Sequence, residues 1–176
     1  MIALTTKEVP MYTKGRKTAV ILIAMMLMTA ASGALAADDS SFAAHYTTAS
    51  LSKQEQTAGN LLNNDRARYN LSPLIIDPAL CRIARIKSED MRDNQYFAHT
   101  SPTYGNVRQM LRQFGYSYSA AGENIAHHAT IEKAQAAFLS SPGHRKNIMS
   151  SAYTKVGIGV ARDKQGFVYL TQIFAR

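Results

Sequence analysis

Two β-rich runs close the chain and limit the folds available to it. The runs are residues 156–161 and 167–174, and the polar segment between them, residues 162–166, ends in glycine. Short apolar runs joined by such a loop are typical of an antiparallel β-hairpin. A third short run, residues 121–128, contains a glycine and also suits a strand. The C-terminal half therefore predicts an antiparallel sheet whose faces need cover from other elements.

Helix start signals in the sequence predict the elements that cover the sheet. Capping residues precede four segments with helical periodicity: Ser52, Asp77, Asn106 and Thr130. The clearest case is the first, because Glu55 completes a capping box with Ser52, and Pro78 marks the first turn of the second helix. A further helical turn is expected over residues 144–149. Helices around an antiparallel sheet predict an α+β fold, a three-layer α-β-α sandwich.

The N-terminal residues match a cleavable signal peptide. A basic region at residues 14–17 precedes an almost unbroken apolar run at residues 19–28, and Ala34-Leu35-Ala36 matches the A-x-A pattern of a cleavage site. An uncleaved membrane anchor is the alternative, and either Met1 or Met11 could be the start. We predict an exported protein, secreted or periplasmic, with no membrane span after cleavage. The predicted segments are a signal peptide (1–36), a flexible linker (37–51) and one domain (52–176).

The charge distribution argues against a nucleic-acid-binding protein, and the cysteine content excludes a disulfide-stabilised one. The chain has 20 Lys and Arg against 12 Asp and Glu, a formal net charge of +8. The basic residues are scattered singly or in pairs, so no nucleic-acid partner is predicted. The single cysteine, Cys81, rules out an internal disulfide framework. Because it lies within a helical pattern, we expect a buried, unreactive thiol.

Three short strings place histidine or glutamate beside turn-forming residues. They are residues 97–102 with His99, residues 122–126 with Glu123, and residues 141–145 with His144. Imidazole and carboxylate groups bind divalent metals and transfer protons near neutral pH. If the fold gathers them, they line one cleft in which two imidazoles could bind zinc and Glu123 could be a ligand or a general base.

Other interpretations of the same residues stay open. Each histidine could simply cap a turn or a helix start, and Glu123 could be a buried acceptor for backbone N–H groups. A serine hydrolase would need Ser101 as nucleophile, but no strained nucleophile elbow surrounds it. Regular strand alternation would place His127 on the same side as Glu123. The aromatic Phe97 could contact a sugar or apolar ligand, or pack into the core.

Taken in chain order, these strings and others resemble one known family. The additional strings are Leu62-Asn63-x-x-Arg66, Leu71-x-Pro73-Leu74, Asp77-x-x-Leu80-x-x-x-Ala84, Asp90-Met91 and Gly157-x-Gly159-Val160. Over residues 52–174 the chain resembles the CAP superfamily of cysteine-rich secretory, antigen-five and pathogenesis-related proteins, in its short bacterial form. The resemblance implies an α-β-α sandwich with a large open cleft, where two histidines and two acidic residues face each other.

The resemblance assigns His99 and His144 to the two histidine places and Glu123 to the first glutamate place. Residues 137–141 have serine where the second glutamate usually stands, so a mechanism with two carboxylates is not expected. Asn124 is expected to belong to the same cleft and to orient its loop.

The expected function is that of a non-catalytic CAP domain. Its cleft of His99, Glu123, Asn124 and His144 would bind a lipid, sterol-like or cell-envelope ligand, with Zn²⁺ as a candidate ion at the two histidines. The alternative is a secreted, metal-assisted hydrolase of peptides or cell-wall material that uses Glu123. A third interpretation is an interaction protein whose cleft residues only maintain the loops. The sequence leaves the oligomeric state open.

Overall fold

A computed structural model describes residues 51–176, and the predicted signal peptide and nearly all of the predicted linker lie outside these residues. The described chain forms five helices and four strands in a mixed order. In chain order they are α1 (Lys53–Arg68), β1 (Ile75–Ile76), α2 (Pro78–Asp93), α3 (Val107–Gln113), β2 (Ala121–His128), α4 (Ile131–Ser140), α5 (Pro142–Ile148), β3 (Lys155–Arg162) and β4 (Val168–Ala175).

The sheet has the order β1-β3-β4-β2, which places β2 at one edge. Its three long strands are antiparallel, and β3 and β4 form the predicted hairpin. The short strand β1 pairs with β3 in parallel. Only an extended link was expected there; it joins the sheet because Ile75 N–H donates to the Thr154 carbonyl and Asp77 N–H to the Val156 carbonyl, both at 3.0 Å.

Helices cover both faces of the sheet, which confirms the predicted three-layer sandwich. Helices α2 and α3 pack on one face with Ile173, and α1, α4 and α5 pack on the other with Phe174. Successive strand residues point to opposite faces, so neighbouring residues of β4 belong to different cores. Gly157 and Gly159 of β3 lie directly against the backbone of α2, where any added Cβ would overlap it.

The local start signals also form as predicted. Glu55 N–H donates to Ser52 Oγ at 3.2 Å while Ser52 N–H donates to Glu55 at 2.8 Å. Helix α1 is followed by Asn70 in a left-handed conformation, with a φ of 55°.

Within residues 51–176, every helix is too short or too polar to cross a membrane. These elements fix β2 at a sheet edge between two helical layers, where the predicted site residues meet.

Candidate functional site

The edge strand β2 presents two adjacent polar residues to opposite layers. Glu123 pairs across the sheet with Ile173 and so faces α2, whereas Asn124 pairs with Gln172 and faces α4 and α5. Both side chains are buried. The outer edge of β2 is therefore the place where groups from the two helical layers can approach each other.

The loop that follows α2 brings His99 into contact with Glu123. His99 Nδ1 lies 2.7 Å from Glu123 Oε1, with the histidine side chain 57% exposed and the glutamate side chain 4% exposed. An ionised carboxylate only accepts hydrogen bonds, so Nδ1 carries the proton and the remaining ring nitrogen is free for other contacts. The bond to Glu123 raises the pKa of His99, although burial partly opposes it.

From the other layer, helix α5 brings His144 towards the same place. The His99 and His144 ring centroids are 6.5 Å apart, with an angle of 47° between the rings. Phe138 contacts the His144 ring edge-on at 5.2 Å. Burial, reinforced by the charge of His99, lowers the pKa of His144. The two imidazoles thus face each other across the edge of β2, and their pKa values shift in opposite directions.

Asn124 lies beneath this cleft and ties β2 to helix α5. Its side-chain amide donates to the His144 carbonyl and to Gln172 Oε1, both at 3.1 Å, and its oxygen accepts from Asn147 at 2.9 Å. Asn147 also donates to the Glu123 carbonyl at 3.2 Å. Asn124 is fully buried, so it ties His144 to β2 from beneath the cleft.

A buried lysine supports the loop that carries His99, and the sequence interpretation assigned it no role. Lys87 Nζ donates to the Ala98 carbonyl at 2.8 Å and to the Tyr96 hydroxyl at 3.1 Å. Burial lowers the pKa of Lys87, opposed by the negative charges of Glu123 and Asp90. Lys87 is fully buried, so it supports this loop from the interior, near enough to Glu123 and Asp90 for their charges to act on it.

One oxygen of Glu123 has no hydrogen bond. Within residues 51–176, Glu123 Oε2 is buried without a partner, while Oε1 bonds His99. An unpaired buried acceptor costs about 1–3 kcal/mol. The bond from Oε1 to His99 is therefore the one side-chain hydrogen bond that the Glu123 carboxylate makes within the described residues, and Oε2 remains a free acceptor.

Ser101 belongs to a separate buried cluster. Its hydroxyl donates to Asp90 at 2.7 Å and accepts from the backbone N–H groups of Thr103 and Tyr104 at 2.9 and 2.8 Å. Tyr96 also bonds the Asp90 carboxylate. A hydroxyl that is buried and bonded in this way is not placed as a nucleophile beside either site histidine.

The residues present do not complete a zinc shell. The described part of the chain has no group of three or more His, Cys, Asp or Glu side chains arranged to hold a metal ion. His99 and His144 alone would supply two nitrogens, whereas catalytic zinc sites use three protein ligands and structural sites four. Glu123 instead holds His99 from behind, as outer-sphere carboxylates do. Zinc at His99 and His144 stays a prediction.

Comparisons with known proteins find related proteins in two Bacillus species. The chain is 41% identical over 129 residues to YkwD of Bacillus subtilis, spanning 73% of this chain and 49% of that protein. It is 37% identical to a solved extracellular protein with an SCP domain from Bacillus anthracis, with a TM-score of 0.65 over 70% of this chain and 40% of that one. The chain thus spans about half the length of YkwD, or less for the other relative.

A more distant structure agrees in fold. A cysteine-rich secretory protein from Staphylococcus aureus is 22% identical, with a TM-score of 0.58 over 69% of this chain and 38% of that one. The model of the cysteine-rich secretory protein family, CAP, matches residues 60–174, from the middle of α1 to the penultimate residue of β4. With that match and the three-layer sandwich, the chain belongs to the CAP family, in its bacterial form.

Proposed function

We propose that this chain is an exported, non-catalytic CAP domain that binds a lipid or envelope-derived ligand at the outer edge of β2. One observation carries the proposal: His99, held by Glu123 at 2.7 Å, faces His144 with a ring separation of 6.5 Å. The signal-like pattern of residues 1–36 supports export, as does similarity to a relative described as extracellular.

The chemistry of the cleft favours a ligand with an anionic or strongly polar head group. His99 is exposed, and its raised pKa keeps the imidazolium over a wider pH range. A phosphate or carboxylate oxygen would accept charge-assisted hydrogen bonds there, and a sterol-like ligand would offer a hydroxyl to the same rings. Because Glu123 is buried behind His99, its charge acts on a ligand through the imidazole.

The test is calorimetric titration of the protein with phosphatidylglycerol vesicles, phosphatidylcholine vesicles and soluble muropeptides. We expect one of these to bind, with the affinity about tenfold weaker in His99→Ala and His144→Ala, since a hydrogen bond to a charged group contributes about 1.5–3 kcal/mol. His128→Ala is the control, because its ring accepts a hydrogen bond from the adjacent Ala129 N–H, at 2.9 Å, and bonds none of the cleft residues within residues 51–176. Equal binding by all variants, or binding of none of these probes, contradicts the proposal.

We also propose zinc as an exchangeable occupant rather than a resident cofactor. Two imidazoles would leave half of a tetrahedral shell to water or ligand, which predicts weak binding. Zinc titration followed by NMR should perturb the rings of His99 and His144 together, and His99→Ala should remove the effect at His144. Unperturbed rings at millimolar zinc would exclude this ion from the cleft.

A hydrolase is the second candidate, favoured by the bond between Glu123 and His99. A carboxylate that fixes the tautomer of an exposed histidine is the arrangement that orients a general base. If peptides or muropeptides are hydrolysed, Glu123→Gln should lower the turnover while His128→Ala leaves it unchanged. Equal turnover in Glu123→Gln and the unaltered protein, or no turnover in either, removes this candidate.

A further inference from the structure

A second surface, at the far end of β2, exposes aromatic rings that the core does not use. The side chains of Phe97 and Phe167 are 52% and 44% exposed. Both lie near the His127 ring, with centroid distances of 6.4 and 5.6 Å. Exposed apolar groups that cluster in this way mark interaction sites more often than isolated ones do.

The central ring of this cluster is held rigidly. His127 stacks on Tyr169 with a centroid distance of 4.1 Å and an angle of 17°. Its Nε2 lies 2.9 Å from Asp163 Oδ2. A ring fixed by stacking and by a hydrogen bond loses little conformational freedom when a ligand binds to it.

A polar cavity adjoins the aromatic cluster, and two residues that contact His127 belong to its lining. The cavity has a volume of about 610 Å³ and includes Tyr169 and Asp163 in its lining, a size typical of small-ligand sites. Its other polar groups are both donors and acceptors: Arg92, Asp93, Gln95, Arg162, Lys164 and Gln165. Apolar rings therefore meet a mixed hydrogen-bonding surface at one place.

The charges of this surface favour a sugar over a membrane. Cations alternate with carboxylates, since Arg92 pairs with Asp93 at 2.7 Å and Asp163 bonds His127. A surface built for anionic lipid would present cations around its apolar residues without carboxylates between them. A pyranose ring has an apolar C–H face that can stack on an aromatic ring, and a rim of hydroxyl and amide groups that need donors and acceptors.

We propose that Phe97, His127 and Phe167, with the adjoining cavity, form a platform that binds a polysaccharide chain. A sugar ring stacks on the aromatic side chains, and its polar rim bonds the charged and amide groups of the cavity. The platform depends on the proposed export for access to envelope glycans, but not on the chemistry of the cleft. The pair of sites would let the protein hold a glycan while its cleft takes a separate ligand.

The test measures binding of the N-acetylglucosamine hexamer by calorimetry and of purified peptidoglycan by co-sedimentation. Phe97→Ala and Phe167→Ala, singly and combined, should weaken binding of at least one glycan by about tenfold, on the order expected for loss of aromatic stacking contacts. Tyr69→Ala is the matched control, because Tyr69 is another exposed aromatic residue outside the platform. His99→Ala should bind the N-acetylglucosamine hexamer normally, which separates this proposal from that for the cleft, because this hexamer carries no peptide, phosphate or lipid group.

Three outcomes would overturn the platform. Glycan binding that Phe97→Ala and Phe167→Ala leave unchanged would place the contact elsewhere. Absence of binding to both glycans would remove the polysaccharide as occupant. Binding of phosphatidylglycerol vesicles that the same two variants abolish, without glycan binding, would identify the aromatic cluster as a membrane contact. Because Phe97 and Phe167 are exposed, urea unfolding should confirm that both variants keep the stability of the unaltered protein.

Discussion

Replacement of Asn124 with alanine should loosen the cleft from beneath. The buried side chain of Asn124 makes three hydrogen bonds, to the His144 carbonyl, to Gln172 and from Asn147. A buried hydrogen bond contributes about 1 kcal/mol on average. Asn124→Ala should therefore lower the free energy of unfolding by about 3 kcal/mol. Since two of the partners belong to α5, we also expect the NMR signals of the His144 ring to shift or broaden.

The same network sets the coupling between Asn124 and Asn147. Asn147→Ala loses two bonds, one to Asn124 and one to the Glu123 carbonyl. Because the two residues share one bond, the double variant should cost about 1 kcal/mol less than the two single losses combined.

Urea unfolding followed by circular dichroism gives these free energies. Asn63→Ala is the control, because Asn63 makes two bonds to Leu74, at 3.0 and 2.9 Å, far from the cleft. It should cost about 2 kcal/mol and leave the His144 signals in place. A loss below about 1 kcal/mol for Asn124→Ala, or strict additivity with Asn147→Ala, would refute the account of this network.

Two further predictions concern glycine packing and the buried cysteine. Gly159→Ala should destabilise the protein by about 3 kcal/mol, because the new Cβ would overlap the backbone at Ala84. Gly143→Ala has open space and should stabilise helix α5 by about 0.5–1 kcal/mol, so equal urea midpoints for the two variants would contradict this difference. Burial raises the pKa of Cys81 to about 11, so a thiol reagent at pH 8 should label only unfolded protein, and rapid labelling of the folded protein would show that the thiol is accessible.

Local signals were sufficient to predict the helices and the three long strands, but not the short strand β1, which depends on pairing with β3. Capping residues act within a few positions, so Ser52 and Asp77 mark helix starts whatever surrounds them. The hairpin was likewise predictable from the residues of the turn and of the two β-rich runs at the C-terminus. Strand alternation also predicts the orientation of Asn124. As the neighbour of Glu123 in β2, Asn124 must face the opposite side of the sheet.

The site itself depended on information that local patterns do not contain. His99 and His144 meet because β2 lies at the sheet edge, and strand order follows from packing of the whole chain. Lys87 occurs in the apolar stripe of α2, and that charged interruption was the one signal of its role. Its partners, the Ala98 carbonyl and the Tyr96 hydroxyl, come from a loop whose course the sequence did not predict.

Histidine titration also has a consequence for stability. The pKa of His99 in the folded protein is raised above its usual 6.5 by the bond to Glu123. The stability that this pair contributes is therefore complete below about pH 6.5 and is lost as the pH rises through the folded-state pKa. Glu123→Gln should remove this pH dependence, which urea midpoints measured across that range would detect.

The most direct test of the cleft is an NMR titration of the His99 and His144 rings in the unaltered protein and in Glu123→Gln. The geometry predicts a pKa above the usual value for His99 and below it for His144. In Glu123→Gln the pKa of His99 should fall. Two rings that titrate at the ordinary histidine value, with His99 unaffected by Glu123→Gln, would contradict the convergence of these three residues.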